Sequence, residues 1–234
     1  MNTIEAALKQ VRARMHAAAR AAGRDPADVR LLAVSKTFGA DAVRAAHAAG
    51  QRAFGENYVQ EALGKIEATR GLAGIEWHCI GPLQSNKTRQ VAEHFDWVHT
   101  VDRLKIAERL SAQRPTHLPP LQVCLQVNID GGANKSGVAP ADALALARDV
   151  AQLPRLALRG LMSIPEIAPD FIAARSLHQR VKELFDAILA SEMDCLTHWD
   201  TLSMGMSADL EAAIAAGSTL VRVGTALFGA RIAA

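Results

Sequence analysis

The sequence predicts an α/β fold, a single (β/α)8 TIM-type barrel with an extra N-terminal helix. Eight strand-like segments alternate with helical patterns, and alternation of this kind predicts parallel βαβ units. The length of 234 residues also suits such a barrel, which usually has about 250 residues. No repeat or interdomain linker interrupts the pattern, so we expect one domain over residues 1–234.

Segments rich in β-branched and other apolar residues predict the strands. The eight segments are residues 31–35, 53–56, 76–81, 97–101, 121–128, 157–164, 201–205 and 220–224. The first segment is not followed by a GxGxxG motif, which argues against an open dinucleotide-binding sheet. The closed barrel is therefore favoured over the doubly wound alternative.

Helical periodicity appears before the first strand and between most of the others. At the N-terminus, Ile4, Leu8, Val11 and Met15 share one helical face, and Gly23 can end that helix. Further helical patterns carry start signals at Asn57, Asp102, Pro140 and Ser207, and the longest pattern covers residues 170–192.

Composition and charge exclude several classes of function. Half of the residues are apolar and 21% are charged, which is typical of a globular protein with a large core. A formal net charge of +2, without a basic stripe, argues against nucleic acid or a membrane surface as a partner. The N-terminal segment has no apolar signal core, and no run reaches the roughly 18 apolar residues of a membrane span. We therefore expect a cytoplasmic protein.

The three cysteines, Cys79, Cys124 and Cys195, are odd in number and far apart. They form neither a CxxC pair nor a disulfide framework, which fits a reducing compartment. We expect each to be a small buried side chain rather than a nucleophile. The eight histidines show no metal-ligand spacing, so no metal site is predicted.

Lys36 closes the first strand and precedes the loop residues Thr37, Phe38 and Gly39. A lysine at the mouth of an apolar strand can lose its proton, because desolvation favours the neutral amine, and a neutral amine can form a Schiff base with a carbonyl. The alternative is a lysine that extends its ammonium group into water, which is the commoner situation. The strand alone does not decide between the two.

Polar residues collect where the predicted strands end, and this is the face on which barrel enzymes carry their active sites. The strand ends hold Lys36, residues 56–57 and 78–81, Asn128, and residues 162–163, 203–207 and 222–225. Loops after strands 7 and 8 often bind phosphate through backbone N–H groups. Ser207 as a helix cap and Gly224 as a bend would explain either loop alone, but the two loops together favour an anion site.

Arg222 lies in the last strand, two residues before Gly224. An arginine that faces the inside of a barrel is costly unless it meets an acceptor or a ligand, whereas an outward arginine can pair with a helix carboxylate. Alternation alone leaves both directions open. A lysine able to form an imine, a phosphate cradle and a buried guanidinium are the parts that a pyridoxal 5′-phosphate (PLP) site requires.

Seven segments, in order along nearly the whole chain, carry a family resemblance. They are LLAVSK at 31–36, FGENYVQE at 54–61, WHCIGPLQSNK at 77–87, KSG at 135–137, RGLM at 159–162, LSMGMSAD at 202–209 and VRVGTALFGAR at 221–231. Together they resemble the pyridoxal phosphate homeostasis protein family, whose barrel is similar to the N-terminal domain of alanine racemase.

The resemblance implies that Lys36 holds PLP as a Schiff base and that Arg222 faces the pyridine nitrogen. Ser203, Gly224 and Thr225 would then hold the phosphate. The complete set of expected cofactor-binding residues is Lys36, Asn57, His78, Met162, Ser203, Met204, Gly205, Ser207, Arg222, Gly224 and Thr225.

Two members of that set have a competing interpretation. Asn57 and His78 would lie beside the ring, but Asn57 is also the predicted cap of a helix. His78 can equally be a core histidine, because alternation gives its direction only if the strand register is right.

The resemblance leaves a PLP carrier and an amino-acid racemase as alternatives. Racemisation needs an acid or base on each face of the substrate, and Lys36 serves one face only. In alanine racemase a tyrosine from a C-terminal domain of the partner subunit serves the other face; this chain ends nine residues after Thr225, and its single tyrosine is Tyr58. We therefore expect a carrier involved in intracellular PLP homeostasis without appreciable turnover, which acts as a monomer and hands PLP to apo forms of PLP-dependent enzymes.

The loop over residues 130–137 contains two adjacent glycines followed by a lysine and a serine. Its spacing differs from GxxxxGK[ST], so nucleoside triphosphate binding is not supported.

Overall fold

The computed structural model describes residues 3–132, 136–191 and 196–229. Its strands form one closed parallel barrel in chain order, β1 to β8, and the (β/α)8 prediction is confirmed. The strands are β1 Arg30–Val34, β2 Ala53–Glu56, β3 Glu76–Cys79, β4 Trp97–Val101, β5 Leu121–Val127, β6 Leu156–Ser163, β7 Thr201–Ser203 and β8 Leu220–Val223.

The barrel closes where β1 pairs with β8, in a register that aligns Leu32 with Arg222 and Ala33 with Val223. Strands β3 and β7 end at Cys79 and Ser203, two residues earlier than predicted in each case. The residue Gly205, with φ of +92°, turns the chain out of the extended conformation after β7.

Helices cover the outside of the barrel. The α-helices in the described part of the chain are α1 Ile4–Ala21, α2 Ala40–Ala48, α3 Val59–Ala68, α4 Thr88–His94, α5 Leu104–Gln113, α6 Ala143–Ala151, α7 Phe171–Leu189, α8 Leu210–Ala215 and α9 Thr225–Phe228. The sequence did not predict α2, α4 or α9. Helix α2 buries only Val43 and Ala46, so its periodicity is weak, and α4 and α9 are short.

Three predicted helix caps are wrong by one or two residues. The N-caps of α3, α5 and α8 are Tyr58, Arg103 and Asp209 instead of the predicted Asn57, Asp102 and Ser207. Polar groups near these ends bond elsewhere: the Asp102 carboxylate accepts from Arg103 at 2.6 Å, and the Asp209 carboxylate accepts from the Met206 amide at 2.7 Å.

The extra N-terminal helix is confirmed as α1. Leu8, Val11 and Met15 are buried on its predicted face, and the helix packs against α8 and α9. It is followed by Gly23 with φ of +69°, in agreement with the predicted stop. Over the described ranges, no helix is both long enough and apolar enough to cross a bilayer.

The barrel separates an outer core from an inner one. The outer core lies between the strands and the helices and includes Phe54, Trp77 and Leu161. Two apolar clusters fill part of the interior, consistent with inward and outward alternation along each strand. They consist of Leu32, Val34, Ala53, Ile80 and Leu220, and of Trp97, Cys124 and Met162.

Strand β6 has an irregularity at Gly160, three residues before Ser163, whose carbonyl oxygen accepts from Arg222. The register between β5 and β6 shifts near Cys124, which pairs with Gly160. Gly160 has φ of +149°, and a Cβ atom there would lie 1.9 Å from the carbonyl oxygen of Thr201. Only glycine fits this position without moving β7.

We expect Gly160→Ala to lower the free energy of unfolding by about 3 kcal/mol, because it adds both backbone strain and a steric overlap. Chemical denaturation measures the change. Gly71→Ala is the matched control, since no heavy atom lies within 4 Å of its added Cβ. Equal stability of the two variants would contradict the expectation.

Candidate functional site

The C-terminal mouth of the barrel brings together predicted residues from four neighbouring strands. Strands β7, β8, β1 and β2 are consecutive around the closed sheet. Lys36 follows β1, Asn57 follows β2, residues 203–207 end and follow β7, and residues 224–225 follow β8. The barrel therefore places the candidate lysine on the strand next to β8, with the loop after β7 one strand further round.

Arg222 faces the inside of the barrel, which settles the direction that alternation left open. Its Nη1 donates to the carbonyl oxygen of Ser203 at 2.6 Å and to Ser203 Oγ at 2.9 Å, and its Nη2 donates to the carbonyl oxygen of Ser163 at 2.8 Å. Burial lowers the pKa of Arg222 to about 10, so the guanidinium remains charged at neutral pH. These three bonds use three of the five N–H donors, and two remain for another acceptor.

A buried chain of side chains continues from Arg222 across the barrel. Ser203 Oγ lies 2.8 Å from His99 Nδ1, and His99 Nε2 lies 2.9 Å from His78 Nδ1. The His78 ring stacks on Trp97 with centroids 5.2 Å apart. Both histidines are fully buried.

His78 and His99 are both neutral at pH 7. Burial lowers the pKa of His78 to about 4 and lowers the pKa of His99 well below its ordinary value, with the nearby His78 and Arg222 lowering the latter further. A neutral imidazole has one N–H donor and one acceptor nitrogen. His78 and His99 can therefore each donate one hydrogen bond and accept one.

The groups at the two ends of this hydrogen-bonded series, Arg222 and Glu76, determine which ring nitrogens donate. Ser203 Oγ accepts from Arg222, so its hydroxyl can donate to His99 Nδ1. His99 then donates from Nε2 to His78 Nδ1. The other ring nitrogen, His78 Nε2, makes no hydrogen bond in the described chain but lies 3.5 Å from the Glu76 carboxylate, so its proton would face that charge. The opposite arrangement would set a bare ring nitrogen against a carboxylate. We infer the first tautomer for both rings.

Glu76 ends this chain at the opposite, N-terminal mouth. Its carboxylate accepts from Arg30 at 2.5 Å. The closeness of His78 and Arg30 lowers the pKa of Glu76 to about 2. Arg30 and Arg159 both approach the Trp97 ring, at 5.8 and 4.9 Å. Since the N-terminal mouth of a barrel mainly serves stability, these contacts close the base of the barrel.

The loop after β7 is held from outside the barrel. The Asp209 carboxylate accepts from the Met206 amide at 2.7 Å and from His178 Nε2 at 2.9 Å. Arg14 of α1 donates to the Ser207 carbonyl at 3.1 Å and forms a bidentate pair with Glu211. Ser207 is therefore anchored by its backbone and leaves its hydroxyl uncommitted to a cap.

The loop after β8 begins a short helix at the mouth. Gly224 lies close to β1, because an added Cβ would be 3.2 Å from the Val34 carbonyl oxygen. Thr225 is exposed and is the first residue of α9. The first amides of a helix have no partner within it, so the backbone at Thr225 and Ala226 can donate to an anion.

Three buried oxygen atoms at or just after the ends of β2 and β6 lack a hydrogen-bond partner in the described chain: Glu56 Oε2, Asn57 Oδ1 and Ser163 Oγ. Buried polar atoms of native proteins are normally bonded, so an orphan at a strand end fits a site completed by a ligand. Gly81 packs so closely on the Asn57 backbone that an added Cβ would lie 2.2 Å from its carbonyl oxygen. These features fit a cofactor with polar substituents.

The other predicted site residues lie further from the mouth. Met162 packs with Trp97 and Cys124 in the interior, while the Met204 side chain lies in the outer core. His78 is reached from Arg222 only through Ser203 and His99, which favours its interpretation as a core histidine.

His99 and the carbonyl oxygen of Ser163 were not predicted from the sequence as parts of the site. His99 lies two residues after Trp97 in β4 and therefore faces the same interior. A polar residue in a strand that is otherwise largely apolar was the available signal. Cys79 and Cys124 are buried, and burial raises the pKa of each thiol to about 12, so neither is a nucleophile. Cys195 lies outside the described residues, as do Lys135 and residues 230–231 of the resembling segments.

The family model of the alanine racemase N-terminal domain matches residues 7–232. The chain is thus a barrel of the class that forms this domain. Within the class, a pyridoxal phosphate homeostasis protein of Pseudomonas aeruginosa is 61% identical over 231 residues, covering 99% of this chain and 97% of that relative. The relative of the same name from Escherichia coli K12 is 54% identical and covers 99% and 98%. This chain belongs to the pyridoxal phosphate homeostasis protein family, and the resemblance inferred from its motifs is confirmed.

A solved structure supports the same assignment. PipY of Synechococcus elongatus PCC7942, whose structure has PLP bound, is 37% identical and superimposes with a TM-score of 0.83. The match covers 97% of this chain and 100% of that chain.

The buried histidines should make stability depend on pH. Each is neutral when folded but takes up a proton when unfolded below about pH 6.5, so His78 contributes stability that is lost as pH falls from 6.5 towards about 4. We expect the free energy of unfolding to fall by at most about 1.4 kcal/mol per pH unit for each histidine in this window. Glu76 acts in the same direction only below pH 4.5. Urea denaturation at pH 7, 6 and 5 measures the slope.

His78→Leu should flatten this slope, because it removes one of the titrating groups. His16→Ala is the control, since His16 is exposed on α1. A wild-type stability that does not change between pH 7 and 5 would contradict the assignment of neutral buried rings.

Proposed function

We propose that this chain binds PLP at the C-terminal mouth of its barrel and serves PLP homeostasis as a carrier. The observation that carries the proposal is the buried Arg222, which keeps free donors at the same end of the barrel as Lys36. Leu32 pairs with Arg222 in the closing register, and Lys36 follows four residues later (36 − 32). Bound PLP in the PipY relative supports the same cofactor here.

The two loops would hold the phosphate and Arg222 the opposite end of the ring. Backbone amides at Thr225 and Ala226 and the Ser207 hydroxyl supply donors of the kind that phosphate prefers. The Ser203 hydroxyl, by contrast, is bonded to Arg222 and His99, and the Met206 amide to Asp209. Asn57 and Ser163 each offer a buried oxygen without a partner. PLP supplies an aldehyde to which the Lys36 amine can attach as a Schiff base.

The chemistry of Arg222 disfavours transamination and similar carbanion chemistry, and the position of the single tyrosine argues against a racemase. A protonated guanidinium donates to an unprotonated pyridine nitrogen and so weakens the ring as an electron sink. The single tyrosine, Tyr58, is 59% exposed at the start of α3 and is not placed as the second base of a racemase. These features support low turnover best, and we propose that such a carrier hands PLP to apo-enzymes in the cytoplasm.

We expect the purified protein to develop a visible absorption band on addition of PLP, and Lys36→Ala to abolish it. Borohydride reduction followed by peptide mass mapping should place the adduct on Lys36. Lys105→Ala, at an exposed position of α5, is the control and should retain the band. A wild-type protein without a band or a reducible adduct would refute the cofactor assignment.

The carrier role can be tested separately. We expect the PLP-loaded protein to exchange the α-proton of L- or D-alanine in D2O no faster than free PLP does, because Lys36 serves one face of the substrate and Tyr58 is not placed to serve the other. Proton NMR of alanine follows the exchange. Rapid racemisation would support the racemase alternative while leaving PLP binding intact.

A further inference from the structure

A buried ion cluster lies directly beneath the turn that contains Lys36. Lys65 of α3 is 4% exposed, and its Nζ donates to Glu56 Oε1 at 2.7 Å and to Glu61 Oε1 at 2.6 Å. The same Nζ donates to the carbonyl oxygen of Ser35 at 2.7 Å, and Ser35 Oγ donates to Glu56 Oε1 at 2.6 Å. Burying charged groups is costly, so such a cluster calls for an explanation beyond surface pairing.

The cluster holds both peptide groups that flank Lys36. The Ser35 carbonyl belongs to the peptide before Lys36 and is bonded directly to Lys65. The Thr37 amide belongs to the peptide after Lys36 and donates to Glu61 Oε1 at 2.6 Å. Since these two peptide planes define φ and ψ of Lys36, their anchors fix the direction in which its side chain leaves the backbone.

The turn itself needs such support. Phe38 N donates to the Ser35 carbonyl at 3.1 Å, so Lys36 and Thr37 are the two central residues of a tight turn. Thr37 has φ of +68°, a conformation that favours glycine and is strained for a β-branched residue. Strain of this kind persists only where neighbouring contacts impose it.

We propose that Lys65 and Glu61 are positioning residues that hold the Lys36 turn in the conformation needed for covalent attachment of PLP. The inference rests on the proposed function of Lys36 and adds two residues that do not touch the cofactor themselves. It also explains why Lys65 is buried although it does not itself reach the candidate cofactor site.

The test separates covalent attachment from non-covalent binding. We expect Glu61→Ala to slow formation of the PLP adduct about tenfold or more, because the attacking amine is no longer held in line. Binding of pyridoxine 5′-phosphate, which lacks the aldehyde, should stay within about twofold, since the donors that bind it are unchanged. Stopped-flow absorbance gives the first quantity and calorimetry the second.

Matched variants sharpen the result. Glu61→Gln keeps an acceptor for the Thr37 amide and should form the adduct within about twofold of the wild-type rate. Lys65→Met should be slow like Glu61→Ala, but it also leaves Glu56 buried without its cation, so its folding is checked first by circular dichroism. Glu61 is 30% exposed in its side chain, so its variants avoid that problem. Lys105→Met is the control for loss of a lysine.

Three outcomes would overturn the inference. These are an unchanged adduct rate in Glu61→Ala, an equal slowing in Glu61→Gln, and a parallel loss of adduct formation and pyridoxine 5′-phosphate binding. Failure of the proposed function looks different, because wild-type protein would then form no adduct at all. Hydrogen exchange of the Thr37 amide in cofactor-free protein gives a further readout: it should quicken in Glu61→Ala and stay slow in Glu61→Gln.

Discussion

The structure depends on a guanidinium group buried at the centre of a closed barrel. Arg222 is 4% exposed, and each of its bonds to Ser163 and Ser203 is worth about 1.5–3 kcal/mol because one partner is charged. Such a group is tolerated only when its surroundings are arranged around it. Ser203 supplies two acceptors, its carbonyl oxygen and its hydroxyl oxygen, and His99 orients that hydroxyl. The Ser163 carbonyl, three residues after Gly160, supplies the third acceptor.

The interior therefore contains a series of polar contacts beside its two apolar clusters. Two neutral histidines connect the Arg222 end of the barrel to a pair of charged residues, Glu76 and Arg30, at the other end. The two imidazoles carry no charge, so the connection transmits orientation and not net charge. In the same way, Lys65 orders the β1 turn from outside the sheet. The C-terminal mouth is thus held by hydrogen bonds from the barrel interior and from helix α3 outside the sheet.

The strands and the extra helix could be predicted from sequence because their signals are local. Alternation and short apolar runs gave all eight strands, and one helical face gave α1. The contact between His99 and Ser203 could not be predicted, because it joins residues 104 positions apart that meet only after closure. Helix α2 was not predicted because its sequence is rich in alanine, which gives little hydrophobic periodicity. Lys65 was hidden for a related reason, since a lysine in an amphipathic helix normally faces water.

The contacts of Arg14 bear on when the site can form during synthesis. This residue of the first helix is bonded to Ser207 and Glu211, which lie 193 and 197 positions later. The barrel itself closes only when β1 pairs with β8. Contacts of such long range form late and all together, since each depends on ordering nearly the entire chain. A nascent chain still missing β8 therefore has neither the barrel nor the β7 loop in place. The candidate site is therefore complete only once β7 and β8 have been synthesised and the barrel has closed.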